Sequence, residues 1–392
     1  MNLSSLTIFP ATPAQVLESR RRSFVHWGGP LTEEEFFRLA TEVEQGESAT
    51  NGKLTAWVLS PRDDPGSLDF KCSCMTFRRK GLILRGHNAH KADAMVPEEV
   101  SCYGVAAVLT PERFRRQGYA KHMMRLLHWV LAVDPSLFPM FPKTWGSPPQ
   151  RPAGIHPGHF SVLWSDVGDF YRSCGPTDSV PGWVLDDAST TVWDVKTLDV
   201  DATTDSISNE KWRWLAVDDI QALYPADEEK LKQDLIAKSL GLDSGKTLFT
   251  FLPGQGVEMF QRTKLGFFWR KLESPVTHWG VISRSSDKAT HDDDTVFATW
   301  TFEAVPKTLL ITRLRANQEN FGDLFSVLKF VAGRHGIEKI EIWCLPDALK
   351  SVAQHHGAIH FERKEHLPAL KWYGAESPTD VIWLNREKFC WC

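Results

Sequence analysis

The chain has 392 residues, a formal net charge of -4, 42% hydrophobic and 24% charged residues. This is the balance of a globular protein with room for two or three domains. It excludes a broad nucleic-acid or membrane-binding surface, so an anionic ligand has to be held by a local basic spot.

The opening residues carry no basic patch followed by an apolar run, and no stretch is apolar for about 18 residues; the cytoplasm is the expected compartment. The 7 cysteines include the C-x-C pairs Cys72/Cys74 and Cys390/Cys392 and no C-x-x-C. Zinc sites use wider spacing with His partners, so free thiols and no metal are expected.

In chain order, Thr12 caps a first helix with Pro13 in its first turn, running to about Trp27. Thr32 and Glu35 form a capping box for a second. Strands are predicted over 54–59, 70–77 and 82–84, with the turn Asp63-Asp64-Pro65-Gly66 after the first. An apolar strand over 100–109 contains Gly104, read as a bulge, and Pro111 ends it. A helix over 121–133 shares an apolar face of Ala120, Met123, Met124, Leu127 and Leu131. A long Pro- and Gly-rich loop over 135–157 leads to a strand over 160–164 and a short helix over 167–173, stopped at Gly175.

Composition changes over 186–205, and a boundary near residue 200 divides the chain into domains 1–200 and 201–392. The second half reads as helices over 212–223 and 228–240, then strands over 248–251, 278–283 and 296–302. A strand over 309–314, helix over 321–335, strand over 339–343 and helix over 347–356 complete it. His291-Asp292-Asp293-Asp294 is read as a solvated hairpin tip.

The chemistry is concentrated where the strand over 100–109 runs through Arg115-Arg116-Gln117-Gly118-Tyr119-Ala120 into a helix. A helix N-terminus offers unpaired backbone N–H groups and partial positive charge, which suits an anion. Gly118 lets the backbone approach a phosphate, Ala120 is small, and Arg115, Arg116 and Lys121 add local positive charge.

This segment resembles the GNAT superfamily of N-acetyltransferases. Their cofactor loop reads Arg or Gln, two free positions, Gly, one free position, then Gly or Ala; Arg115, Gly118 and Ala120 fill the fixed places. The resemblance implies an α/β (α+β) fold, with an N-terminal GNAT domain whose mixed central sheet is splayed at a β-bulge. It implies acetyl-CoA as co-substrate, with its pyrophosphate on Arg115, Arg116, Gln117, Gly118, Tyr119, Ala120 and Lys121. The pantetheine arm would lie along Val108, Leu109 and Thr110, beside Phe170. Tyr171 matches the place of a tyrosine that protonates the departing thiolate. A phenol, of ordinary pKa about 10, is suited to that transfer.

Over nearly its whole length the chain is similar to the fungal lysine N(6)-acetyltransferase family, through 54–59, Cys74-Met75-Thr76-Phe77-Arg78-Arg79, 160–171 and the ending Asn385-Arg386-Glu387-Lys388-Phe389-Cys390-Trp391-Cys392. The implied acceptor is the side-chain amine of free L-lysine or a related small amine. Met75 departs from the Glu expected there, which leaves open a changed acceptor, a protein or peptide amine, or an impaired CoA-binding protein.

The region 309–356 repeats strand, helix, strand, helix, but Arg315-Ala316-Asn317-Gln318-Glu319-Asn320 has no glycine and Glu319 would repel a phosphate. It reads as a degenerate GNAT-like domain covering the first domain's cleft. The apolar end Phe389-Cys390-Trp391-Cys392 is expected to reach back to that cleft, where the α-carboxylate of Cys392 would act as base, as the terminal carboxylate does in N-myristoyltransferase. The alternative is that Phe389 and Trp391 plug the second domain's core. Nucleic acid and membrane are not expected as partners, and the sequence fixes no oligomeric state.

Overall fold

The computed structural model describes residues 3–86, 95–198, 211–242, 245–270, 272, 274–284 and 295–392. The chain opens with β1 (Leu6–Pro10) and α1 (Pro13–Trp27), whose Thr12 hydroxyl accepts from Gln15 N while the Gln15 side chain accepts from Thr12 N. Thr32 and Glu35 close the expected capping box on α2 (Glu33–Gln45). Then come β2 (Leu54–Pro61), β3 (Cys72–Leu84) and β4 (Glu98–Leu109), all antiparallel. The helix α3 (Tyr119–Leu131) starts two residues before the expected 121 and buries Met123, Met124, Leu127 and Leu131 against the sheet. Each such side chain contributes about 1.5–3 kcal/mol by leaving water. β5 (Phe160–Ser165) lies parallel to β4, and a 3-10 helix over Gly168–Ser173 precedes β6 (Val184–Leu185).

β7 (Ser189–Asp194) leads into the second half, which departs from expectation at its start. The helix expected over 212–223 begins later and does not stop there: Trp212–Leu215 forms β8, and α4 (Val217–Leu240) runs unbroken through Pro225 and takes in the helix expected over 228–240. Proline removes a helical hydrogen bond there. The bonded face Ile220, Tyr224, Asp227, Leu231 and Leu235 is buried along the helix, and that burial outweighs the local loss. β9 (Thr247–Phe251) and an unanticipated α5 (Met259–Trp269) follow, then β10 (Gly280–Ser283), β11 (Phe297–Ala304) and β12 (Lys307–Arg315). α6 (Phe321–Arg334) buries Phe321, Leu324, Phe325, Leu328 and Val331, as its spacing requires. β13 (Lys339–Trp343), α7 (Asp347–His355), β14 (Ile359–Glu362), β15 (Leu367–Trp372) and β16 (Val381–Trp383) complete the order.

Two sheets result. The first has the order β1-β2-β3-β4-β5-β15-β6, with β9 paired to the far end of β3 and β16 to β9. The second is ordered β14-β7-β13-β12-β11-β10-β8. Residue 200 therefore marks no division between sheets: β7, before it, belongs to the second, while β9, β15 and β16, after it, return to the first. The apolar faces of these late strands also pack on distant partners, such as Phe249 on Phe160 at 4.4 Å between ring centroids. All seven cysteines are free thiols. No helix among the described residues is long and apolar enough to cross a membrane. The His291–Asp294 run lies outside the described residues.

Candidate active site

The central opening lies between β4 and β5. Their parallel pairing ends at Val105 with Leu163, although both strands continue. Opposite, β3 pairs Met75 with Ala106 and Ser73 with Leu109, so one residue of β3 faces both Ala107 and Val108. This is a β-bulge on β4, and Ala107 takes φ +52° within it. The bulge is therefore not at Gly104, which pairs regularly with Phe77 and Val162. Gly104 is glycine for a different reason: a Cβ there would stand 2.5 Å from Cys392 Sγ and 3.4 Å from Arg79 Cζ. Val108 is half-buried beside the opening, Leu109 is buried, and the Thr110 hydroxyl faces the buried Cys72 thiol.

Beyond Thr110 the chain makes one 3-10 turn, Glu112–Phe114, passes an extended Arg115, and reaches α3 through two left-handed residues, Arg116 at φ +62° and Gly118 at φ +83°. Gly118 is the N-cap of α3, and the first helical bond runs from His122 N to Gly118 O. The amides of Gly118, Ala120 and Lys121 thus have no partner inside the helix. A Cβ on Gly118 would meet only Leu3 Cδ1 at 3.6 Å, so the requirement there is conformational.

Tyr119 braces the turn from inside: its buried ring meets Phe114 edge-on at 5.9 Å and its hydroxyl donates to Gln117 Oε1 at 3.2 Å. Gln117 in turn donates to Arg113 O. Arg115 donates to Thr110 O at 3.2 Å and sits beside His26 and Glu112. Arg116 and Gln117 are exposed, while Ala120 and Lys121 are half-buried. The cradle therefore consists of backbone amides with cations at its rim, which fits a pyrophosphate.

Phe170 and Tyr171 lie on the 3-10 helix after β5, their rings 5.2 Å apart. Phe170 is exposed, and Tyr171 is half-buried against the core under α3. Burial, reinforced by the nearby thiols of Cys72, Cys174 and Cys74, pushes the Tyr171 phenol well above its ordinary pKa. It therefore keeps its proton at neutral pH.

The other wall includes the tail, which the sequence reading expected at this cleft. After β16 the chain leaves the first sheet, touches β12 of the second and returns to the first. Glu387 accepts from Arg313 and from Leu314 N of β12, and Phe389 packs with Val100, Cys102 and Phe160 rather than in the second sheet's core. Arg79 of β3 donates to Cys390 O and Trp391 O, and Gln261 of α5 donates to Trp391 O. Cys392 ends against Gly104 in an apolar cluster with Phe77, Phe260, Met75, Ala106, Trp164 and Trp391.

Beside it Lys264, also on α5, lies 4.2 Å over the Trp391 ring; burial lowers its pKa to about 8, with Cys392 and Asp166 opposing the shift. Asp166 accepts from His366 N at 2.7 Å and from its ring at 3.0 Å. Arg79, Gln261 and Lys264 are sequence-silent because their meaning depends on a tail more than 120 residues away from α5, at the other end of the second half.

Strand, bulge, left-handed turn, helix and parallel neighbour form a GNAT-type fold with its cleft at the β4–β5 opening. A family model, the LYC1 GNAT-like C-terminal domain, matches residues 197–392, half of the chain, and the chain belongs to that family. A lysine acetyltransferase of Yarrowia lipolytica is 25% identical over 177 residues, 45% of this chain and 40% of that relative. The chain thus matches less than half the length of that protein. Among solved structures, a GCN5-related N-acetyltransferase from Anabaena variabilis aligns with a TM-score of 0.52 and 11% identity, covering 94% of this chain and 73% of that one. A second, from Kribbella flavida, gives 0.48 and 13%, covering 94% and 72%. At 11% identity the likeness to the Anabaena variabilis protein is one of fold.

Proposed function

We propose that the chain transfers an acetyl group from acetyl-CoA to the primary amine of a small molecule, free L-lysine or a close relative of it. The observation that carries this reading is the turn at Arg116–Gly118: two left-handed residues open α3 next to a bulged, splayed strand pair. The pyrophosphate lies on the amides of Gly118, Ala120 and Lys121, ringed by Arg115 and Arg116, and Gln117 and Tyr119 hold the turn. The pantetheine arm lies along Val108, Leu109 and Thr110, with Phe170 beside it.

The amine nitrogen attacks the thioester carbonyl, a C–N bond forms and the C–S bond breaks. Tyr171, kept protonated by its surroundings, gives its proton to the departing sulfur. The proton that the amine releases is accepted at the wall of the cleft formed by the tail, where Cys392 lies against Gly104. Met75 packs in the apolar cluster beside Ala106, so β3 offers no carboxylate for that task at this position.

Release of CoA thiol with a panel of amines tests the reading. Tyr171→Phe keeps the ring and is expected to lower turnover about 10²–10⁴-fold, with cofactor affinity little changed. Near wild-type turnover, with chemistry rate-limiting, would remove Tyr171 as the acid. Binding of acetyl-CoA without turnover of any amine would favour the non-catalytic alternative.

A further inference from the structure

The edge of β3 has a gap. β2 pairs with it up to Leu54 and Phe77, and β9 pairs with it from Phe251 and Gly81 onward. Between them lie Arg78, Arg79 and Lys80, bracketed by the bonds Arg78 N to Lys53 O and Leu252 N to Lys80 O. A pocket opens at this gap, lined by Ser48, Lys53, Arg78, Arg79, Lys80, Ser101, Gln255 and Val257. Four of these eight residues are cationic and none is a carboxylate.

The nearby acids leave this excess in place. Glu99 pairs with Lys80 from outside the lining, and Glu47 attracts Lys53 while using its carbonyl, with that of Gln255, to hold the Lys53 ammonium. Among the described residues, the Arg78 guanidinium donates to the Asn51 carbonyl, at 3.3 Å. Arg79 is 5% exposed, and its Nε has no hydrogen-bond partner among the described residues. A buried guanidinium N–H without an acceptor is costly, so this pocket is short of an anion. Burial and the charges of Arg78 and Lys80 lower the pKa of Lys53, against the pull of Glu47, as expected for crowded cations.

The surroundings identify the anion. Phe77, two residues before Arg79 and so on the same face of β3, packs in the apolar cluster that contains Cys392, Met75 and Ala106. Arg79 Cζ lies at Gly104, and from Gly104 to the bulge at Ala107 a strand covers about 10 Å. That distance is comparable with the arm of an amino acid bearing four side-chain methylenes, with its carboxylate at Arg79.

We infer that this pocket is the carboxylate subsite for the acceptor: Arg79, with Lys53 and Arg78, holds the far carboxylate while the methylene arm lies on the apolar cluster and the amine reaches the β4 bulge. The inference rests on the acetyltransferase reading and narrows it. The acceptor is an amine that carries a carboxylate, and because the lining offers no acid to an α-ammonium, that group is not read.

Initial rates with L-lysine, 6-aminohexanoate and cadaverine at saturating acetyl-CoA test this. The two carboxylates are expected to agree within about threefold in kcat/KM, and cadaverine to fall about 10–100-fold below them, the weight of a charge-assisted hydrogen bond. Lys53→Gln and Arg78→Gln, which spare the contacts of Arg79 with the tail, are expected to raise KM for 6-aminohexanoate several-fold and by clearly more than KM for cadaverine or for acetyl-CoA. Cadaverine equal to the carboxylates, or variants that affect all three amines alike, would overturn the subsite and leave acetyl transfer standing. No turnover with any amine, with acetyl-CoA still bound, would overturn both.

Discussion

The molecule contains the same supersecondary unit twice, and the two copies differ in what meets the amides of the turn before the helix. In β4–α3, the bulge at Ala107 is followed by a turn whose left-handed Arg116 and Gly118 present amides outward. In β12–α6, pairing with β11 slips at Thr312, again placing an extra residue on the strand, and the parallel pairing with β13 ends at Ile311 with Ile342. There the turn satisfies itself: Asn317 Oδ1 accepts from Glu319 N and Asn320 N, and Asn320 Oδ1 accepts from Asn317 N. The strand end is occupied as well, since Leu314 N donates to Glu387 at 2.7 Å and Arg313 is shared between Glu387 and Asp227. What separates an anion site from a structural turn is which group satisfies the N–H donors: side chains of the chain itself, or a ligand from outside.

The sharpest way to break this contrast is Gly118→Asp. It places a carboxylate where the phosphates would lie and a side chain at φ +83°, so acetyl-CoA binding is expected to fall at least about 100-fold in calorimetry. Gly118→Asn, which tolerates the left-handed region, is expected to retain much more, separating charge from conformation. Unchanged affinity in the Asp variant would end the assignment.

In the second copy, Glu387→Ala leaves Arg313 with one carboxylate fewer and Leu314 N with none. Denaturant unfolding is expected to show a loss of about 3 kcal/mol, as for other broken buried pairs. A loss below about 1 kcal/mol would mean that water replaces the carboxylate without penalty. The smallest effect belongs to Asn317→Ala, which removes a cap-like acceptor and should cost about 1 kcal/mol. Calorimetric stoichiometry should remain one acetyl-CoA per chain, because Glu387 still fills the strand end; a second equivalent bound would collapse the distinction.

Much of this contrast could be read from the sequence, because it is local. Gly118, the basic run around it and the apolar face of α3 lie within one stretch, and so do the Asn-rich turn and the face of α6. Thr12 and Thr32 marked their helices for the same reason. The bulge did not show, because Ala107 carries no mark of its positive φ, while Gly104, which looked like the mark, answers to Cys392 nearly three hundred residues away. α4 was divided at Pro225 because local propensity was given more weight than its buried face. The cationic pocket, Gln261 and Lys264 depend on how β9, α5 and the tail return to the first sheet, and no short window contains that.

The return of β15 and β16 to the first sheet sets the order in which the protein is completed. β5 keeps an open edge until Leu367–Trp372 arrives, some two hundred residues later. During synthesis, at about 5–20 residues per second, that edge waits on the order of ten seconds or more after β5 has emerged. Pairings so distant in sequence are formed late and slowly. The GNAT-type first sheet is therefore assembled only when β15 and β16 have been made, and a product truncated before β15 carries an unpaired strand edge, a template for aggregation.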